Sequence, residues 1–266
     1  MKNQTAEKKR IKLILTGVFL GLGILLGAAA RMVPGFGQWY STHIYPILVG
    51  VIGRAAGLAP FSVSEILLYI VLLLLLGSLA RLVFCKMRGS GAPGAGLRWV
   101  RSVVLAGALL FFLYMMNCGV NYYRDSFAES AGIQADTYTV QELAEVCAWL
   151  TQEVNQYAGG VERDDQGLME MEDLTDAKAV EAMEALGEEY PQLRGYYPRP
   201  KGLLNPWILS VQKLTGIYSP FTIEANYNTE MTDYNIPFTA CHELSHLRGF
   251  MQEEEANFIA FLACRK

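Results

Sequence analysis

The sequence predicts an α-helical membrane region with three transmembrane spans over residues 1–123, followed by an extracytoplasmic α+β domain over residues 124–266. Two observations predict this division, and a third singles out one end of the second half. Of the 266 residues, 52% are hydrophobic and only 18% charged, below the roughly 25% usual for soluble domains. Up to Tyr123 long apolar runs alternate with short basic or Gly/Pro-rich connections, and beyond it the pattern is that of an ordinary globular domain, long enough to bury its own core. Finally, two of the chain's three histidines, His242 and His246, stand four residues apart.

Three stretches, residues 13–30, 66–84 and 100–119, are close to the length of about 20 apolar residues that crosses a bilayer. The second contains Ile70-Val71-Leu72-Leu73-Leu74-Leu75-Leu76 and is the clearest of the three. Basic residues set the orientation. Lys2, Lys8, Lys9, Arg10 and Lys12 precede the first span, and Lys86, Arg88, Arg98 and Arg101 flank the loop between the second and third. The connection between the first and second carries only Arg31 and Arg54. By the excess of Lys and Arg on cytoplasmic flanks, the N-terminus faces the cytoplasm of a multi-pass cell-membrane protein and the second half lies outside. Cleavage after Ala28-Ala29-Ala30, as in a signal peptide, would leave the second half on the same side. A basic cluster directly before an apolar run is a topology signal, so no nucleic-acid partner is expected; the formal net charge is −4. The five cysteines form no spaced framework and are expected as free thiols.

In the second half, Thr139-Val140-Gln141-Glu142 is a capping-box pattern. It opens an amphipathic helix with Val140, Leu143, Val146, Cys147, Leu150 and Val154 on one stripe, ended by Gly159-Gly160. A second helix is expected over residues 175–189, stopped by Pro191, and a short one over 206–214. Phe221, Ile223, Ala225 and Tyr227 alternate with polar residues, the signature of a half-buried strand. Pro220 at its start suits an edge strand, which could pair with an extended peptide.

His242-Glu243-Leu244-Ser245-His246 has the spacing H-E-x-x-H. Where histidine is this scarce, the pattern should arise by chance in well under about one chain in a hundred. Asn235 is placed as a helix N-cap and Pro237 in the first turn, where its missing N–H is tolerated. On that helix the two imidazoles lie one turn apart on the same face, able to hold one zinc ion, with Glu243 about 100° round the axis and free to activate a water molecule. His43 falls in the connection after the first span and is expected to be incidental.

A catalytic zinc ion takes a third protein ligand and keeps one position open. Glu253, Glu254 and Glu255 are the candidates. On a straight helix Glu253 would lie about 10 Å further along the axis than His246, out of reach of an ion bound at about 2 Å. The helix must therefore break, and Gly249 is where a left-handed turn would end it, with a second helix starting near Gln252.

The run from His242 to Phe250, the segment Glu253-Glu254-Glu255-Ala256-Asn257-Phe258, the upstream stretch from Gly216 to Asn226 and the three spans together resemble the bacterial membrane family called domain of unknown function 3810. The resemblance covers nearly the whole chain and implies a zincin-like metallopeptidase fold. Glu253-Glu254-Glu255-Ala256-Asn257 is also similar to the E-x-x-A-D segment of membrane gluzincin peptidases. That similarity implies Glu253 as third zinc ligand and Asn257 as the residue orienting a zinc histidine. Asn in place of Asp can orient an imidazole but adds no negative charge. The chain stops at Lys266 whereas family members continue, which implies a further C-terminal segment.

These readings converge on a membrane-anchored zinc metallopeptidase, with the lipid bilayer and a peptide or protein substrate as partners and Tyr218, Tyr227 and Tyr234 as candidate transition-state donors. An intramembrane protease would need its H-E-x-x-H inside a long apolar span, whereas residues 229–235 are polar and residues 253–255 charged. The alternative from a different class is a non-catalytic zinc-binding membrane protein that senses or binds a partner; such a site would have no use for Glu243. No nucleotide or haem motif occurs.

Overall fold

The computed structural model describes residues 2–134, 137–171 and 175–266. The chain is mostly helical, with three long apolar helices towards the N-terminus and a small mixed sheet after them. The main helices of its first half are α1 (Lys2–Met32), α2 (Phe36–His43), α3 (Val63–Met87) and α4 (Ala95–Asn117). Helices α1, α3 and α4 are each long and apolar enough to cross a membrane. The two later ones start earlier than hydropathy alone predicts, for local reasons. Ser62 caps α3 by accepting the Glu65 N–H, and Gly94, at φ 71°, turns the chain into α4. Leu73 and Leu74 on α3 are about two-thirds exposed, a surface suited to lipid and costly in water. Helices α1 and α4 pack together, with Phe19 and Phe112 rings 5.8 Å apart. Gly23 permits that approach, since a Cβ there would stand 2.6 Å from the Phe111 ring.

The second half adds α5 (Val140–Tyr157), α6 (Thr175–Glu189), β1 (Lys201–Gly202), β2 (Gly216–Ser219), β3 (Glu224–Tyr227), α7 (Ile236–Leu247) and α8 (Glu253–Cys264). The sheet order is β1-β3-β2, with β1 parallel to β3 and β2 antiparallel, pairing Ile217 with Asn226 and Ser219 with Glu224. Helix α7 packs on β2, β3, α6 and α8. The expected strand over residues 221–227 is therefore corrected. Residues 220–223 form a turn, with Ile223 buried at φ 52°, and the strand that follows is central, flanked on both sides. The alternation of Phe221 and Ile223 came from a turn that buries one and exposes the other. The edges belong to β1 and β2.

Helix α5 has both halves of its Thr139–Glu142 capping box, yet none of its residues is buried. Its apolar stripe borders a groove of about 900 Å³ shared with Phe261 and Arg265. The short helix expected over 206–214 spans Trp207–Ser210. All five cysteines are free, and Cys241 and Cys264 line one cavity.

One hydrophobic core takes residues from both sides of Tyr123: Tyr40, Tyr45, Cys118 and Val120 pack with Tyr218, Leu244, Leu247 and Phe250. Tyr45 donates its hydroxyl to the Leu247 carbonyl at 2.9 Å, and the Tyr218 hydroxyl lies 2.8 Å from it. Two carboxylates tie the start of α3 to the sheet region. Glu224 on β3 accepts the Val63 and Ser64 N–H groups at 3.0 and 2.8 Å, and Glu65 accepts those of Leu204 and Asn205, both at 2.8 Å. The Val63 and Ser64 N–H groups, in the first turn of α3, have no partner inside the helix, and an anion is favoured there. Lys201 on β1, buried with Glu224, pairs with it and donates to the Ala56 carbonyl at 2.8 Å. Lys201→Met leaves that carboxylate buried without its cation, so a loss of about 3 kcal/mol is expected in detergent unfolding. A Lys201→Met, Glu224→Gln double variant should recover part of it.

Candidate metal centre

Helix α7 begins at Ile236, with Pro237 in its first turn as expected. Asn235 does not cap it through its side chain. A 3₁₀ turn, Asp233–Asn235, leads directly into α7, so Asn235 already has helical angles and donates its amide to Thr232 Oγ1 instead. His242 and His246 follow one turn apart, their ring centroids 4.6 Å apart and their planes nearly perpendicular.

The chain then reverses. Helix α7 stops at Leu247, Gly249 takes φ 97°, and its N–H returns to the His246 carbonyl at 2.8 Å. Gly249 also leaves room for Arg124, whose Nη1 would lie 3.0 Å from a Cβ there. Arg124 donates to the Arg248 carbonyl at 3.1 Å and lies over the Phe250 ring at 3.7 Å, holding the reversal from outside. Helix α8 starts at Glu253 and points that side chain back at α7. Glu253 Oε2 is 3.3 Å from His242 Nε2, and Oε1 is 3.5 Å from His246 Nε2. Neither neighbouring acid shares this position. Glu255 accepts the Phe127 N–H at 2.6 Å, and Glu254 faces solvent.

The remaining ring nitrogens decide what this cluster can bind. His246 Nδ1 lies 2.8 Å from the Phe250 carbonyl, which can only accept, so Nδ1 carries the proton. His242 Nδ1 lies 3.0 Å from Asn257 Oδ1 and donates in the same way. Both Nε2 atoms therefore present lone pairs to a carboxylate, and the three ligand atoms lie within 4.8 Å of one another. Acceptors converging with no donor among them fit a cation. Two ligands about 2 Å from a tetrahedral ion stand about 3.3 Å apart, close to the separations found. Burial, followed by the cost of protonating both neighbouring imidazoles together, lowers the His242 pKa, which keeps that ring in the metal-binding form.

Glu243 lies beside this set, buried, with Oε2 lacking any hydrogen-bond partner. Burial raises its carboxyl well above the usual range and the Glu253 charge adds to the effect, while the Tyr218 backbone N–H opposes it. Gly216 makes room for it: a Cβ there would lie 2.5 Å from Glu243 Oε1 and 2.7 Å from Thr239 Cγ2.

The cluster opens into a cleft of about 490 Å³ with Gly216, Ile217 and Tyr218 of β2 on one wall. Of the three tyrosines proposed from sequence only Tyr218 lines it, and its hydroxyl is occupied by Tyr45 and the Asn117 carbonyl. Tyr227 donates to Asp176, and Tyr234 borders the groove at α5. Sequence reasoning missed Tyr114 and Tyr122, which reach the cleft from the end of α4 and the turn after it. Their position in and next to an apolar span gave no signal of it. His43 lies elsewhere, stacked on Trp39.

No curated protein and no solved structure matches the chain. The family described as "Protein of unknown function (DUF3810)" matches residues 40–266. This match takes in the cleft, the two histidines and both carboxylates, together with α3 and α4, and the chain belongs to that family.

Proposed function

We propose that the protein is a membrane-anchored, zinc-dependent peptidase of the zincin-like, gluzincin type. The observation that carries the reading is the meeting of two Nε2 lone pairs and the Glu253 carboxylate beside the buried, half-unpaired Glu243. His242, His246 and Glu253 would hold the ion, and Asn257 and the Phe250 carbonyl would fix the two rings. A zinc ion there would supply Lewis acidity, lowering the pKa of water and polarising the scissile carbonyl. Glu243 takes the proton from the attacking water and delivers it to the leaving amine. The free edge of β2 holds the substrate extended, and Tyr114 and Tyr122 offer hydroxyls across the cleft. A purely structural metal site gives no account of a buried carboxylate beside that cleft with one oxygen unpaired. The basic flanks of α1 and of the α3–α4 loop support a domain outside the cytoplasm.

The test is zinc content after detergent purification, beside hydrolysis of a mixed peptide library. About one zinc per chain, lost in His246→Ala together with hydrolysis, is the expected result. Wild-type protein that takes up no zinc when it is supplied would overturn the reading. Asn257→Ala should weaken zinc affinity about 10- to 100-fold by freeing the His242 ring, with Asn257→Asp restoring it; chelator competition measures both.

A further inference from the structure

The cleft is built partly from the membrane region. Tyr114 lies in the last turn of α4, and Cys118 and Tyr122 follow it directly; all three share the cleft with His242 and Glu253. The end of α4 is fastened to the sheet, because Asn117 Nδ2 donates to the Pro220 carbonyl at 2.7 Å and Tyr218 donates to the Asn117 carbonyl at 3.2 Å. The start of α3 is fastened to Glu224, beside the same end of the β2–β3 pair. Strand β2 thus runs from Gly216, beside Glu243, to Ser219–Pro220, at the point where two apolar helices end. The turn after α4 and the β2–β3 turn carry exposed aromatic side chains: Tyr122, Tyr123 and Phe221 are each a little over two-fifths exposed. Such rings favour the interface between lipid and water.

A peptide paired along the free edge of β2 would have one end at the bilayer surface and its middle at Glu243. The four residue steps from Pro220 to Gly216 correspond to about 13 Å of extended chain. We infer that the substrate is a polypeptide anchored in the same membrane, cut a few residues from where it leaves the bilayer. This rests on the peptidase reading and names the substrate class for that site.

The experiment places the full zinc-loaded chain in proteoliposomes with a randomised peptide library in two forms, one free in solution and one joined to an apolar transmembrane anchor. Cut sites are mapped by mass spectrometry, with Glu243→Gln as the control. The anchored form should be cut at least about tenfold faster, at sites roughly four to eight residues from the anchor. Those sites should stay in place when the linker is lengthened from about 10 to about 30 residues. A second readout needs no turnover. With photoreactive benzoylphenylalanine in place of Ile217, on the exposed side of β2, the Glu243→Gln chain should crosslink to the same membrane-proximal residues. Equal cutting of the free library, or cut sites spread along the linker, would overturn the substrate class and leave the peptidase reading intact. Cutting of neither library would overturn both.

Discussion

Glu243→Gln is expected to lower peptide hydrolysis by about 10²- to 10⁴-fold, the range attributed to a positioned general base, with zinc content unchanged. The carboxyl and the amide are nearly the same size, so the substitution keeps the fit against Gly216 and Thr239. It removes the acceptor that can be protonated and then return its proton. Glu243 is not among the three converging ligands, so metal uptake should be indifferent to the change. The substitution also ends the burial of an unpaired carboxylate oxygen, so the variant should unfold at the same temperature or higher. Wild-type hydrolysis with this side chain changed would refute its role, and loss of zinc would make it a ligand.

Glu253→Gln should have the largest effect on the metal itself. Removing its charge leaves two neutral imidazoles at the site, and zinc affinity should fall by more than the roughly 10- to 100-fold expected for an outer-shell contact. Glu254→Gln is the matched control, one residue along the same first turn and pointing to solvent, and it should bind zinc as wild type does. Parallel titrations against a chromophoric chelator measure both. Equal losses in the two variants would mean that general acidity at the start of α8, rather than one directed ligand, retains the ion.

Much of the candidate site could be read from the chain because it is local. His242 and His246 follow from the helical period, and Asn257, fifteen residues from His242, falls on the returning helix once Gly249 breaks the first. Selecting Glu253 from three neighbouring acids required the family pattern, since nothing in its own composition distinguishes it. The walls of the cleft were not legible. Tyr45 supports Leu247 across 202 residues, and Tyr218 reaches Asn117 across 101. Contacts that distant leave no periodicity to detect. The strand error has a different origin, since the turn over residues 220–223 happens to alternate as a strand would. The stripe on α5 was read correctly as a pattern, but amphipathicity alone could not show that it would stay uncovered among the described residues.

The reversal at Gly249 also bears on the order of events during synthesis. All four ligand and base side chains lie in two adjoining helices, residues 236–264, which can pair as soon as they emerge. The residues that brace them, Tyr45 and Arg124, will by then have been made long before. A growing chain therefore carries its braces and its half-built cleft through membrane insertion before His242, Glu243, His246 and Glu253 have been made. Under the proposed activity, neither the nascent protein nor its neighbours at the translocation machinery would be exposed to a working centre until insertion is complete.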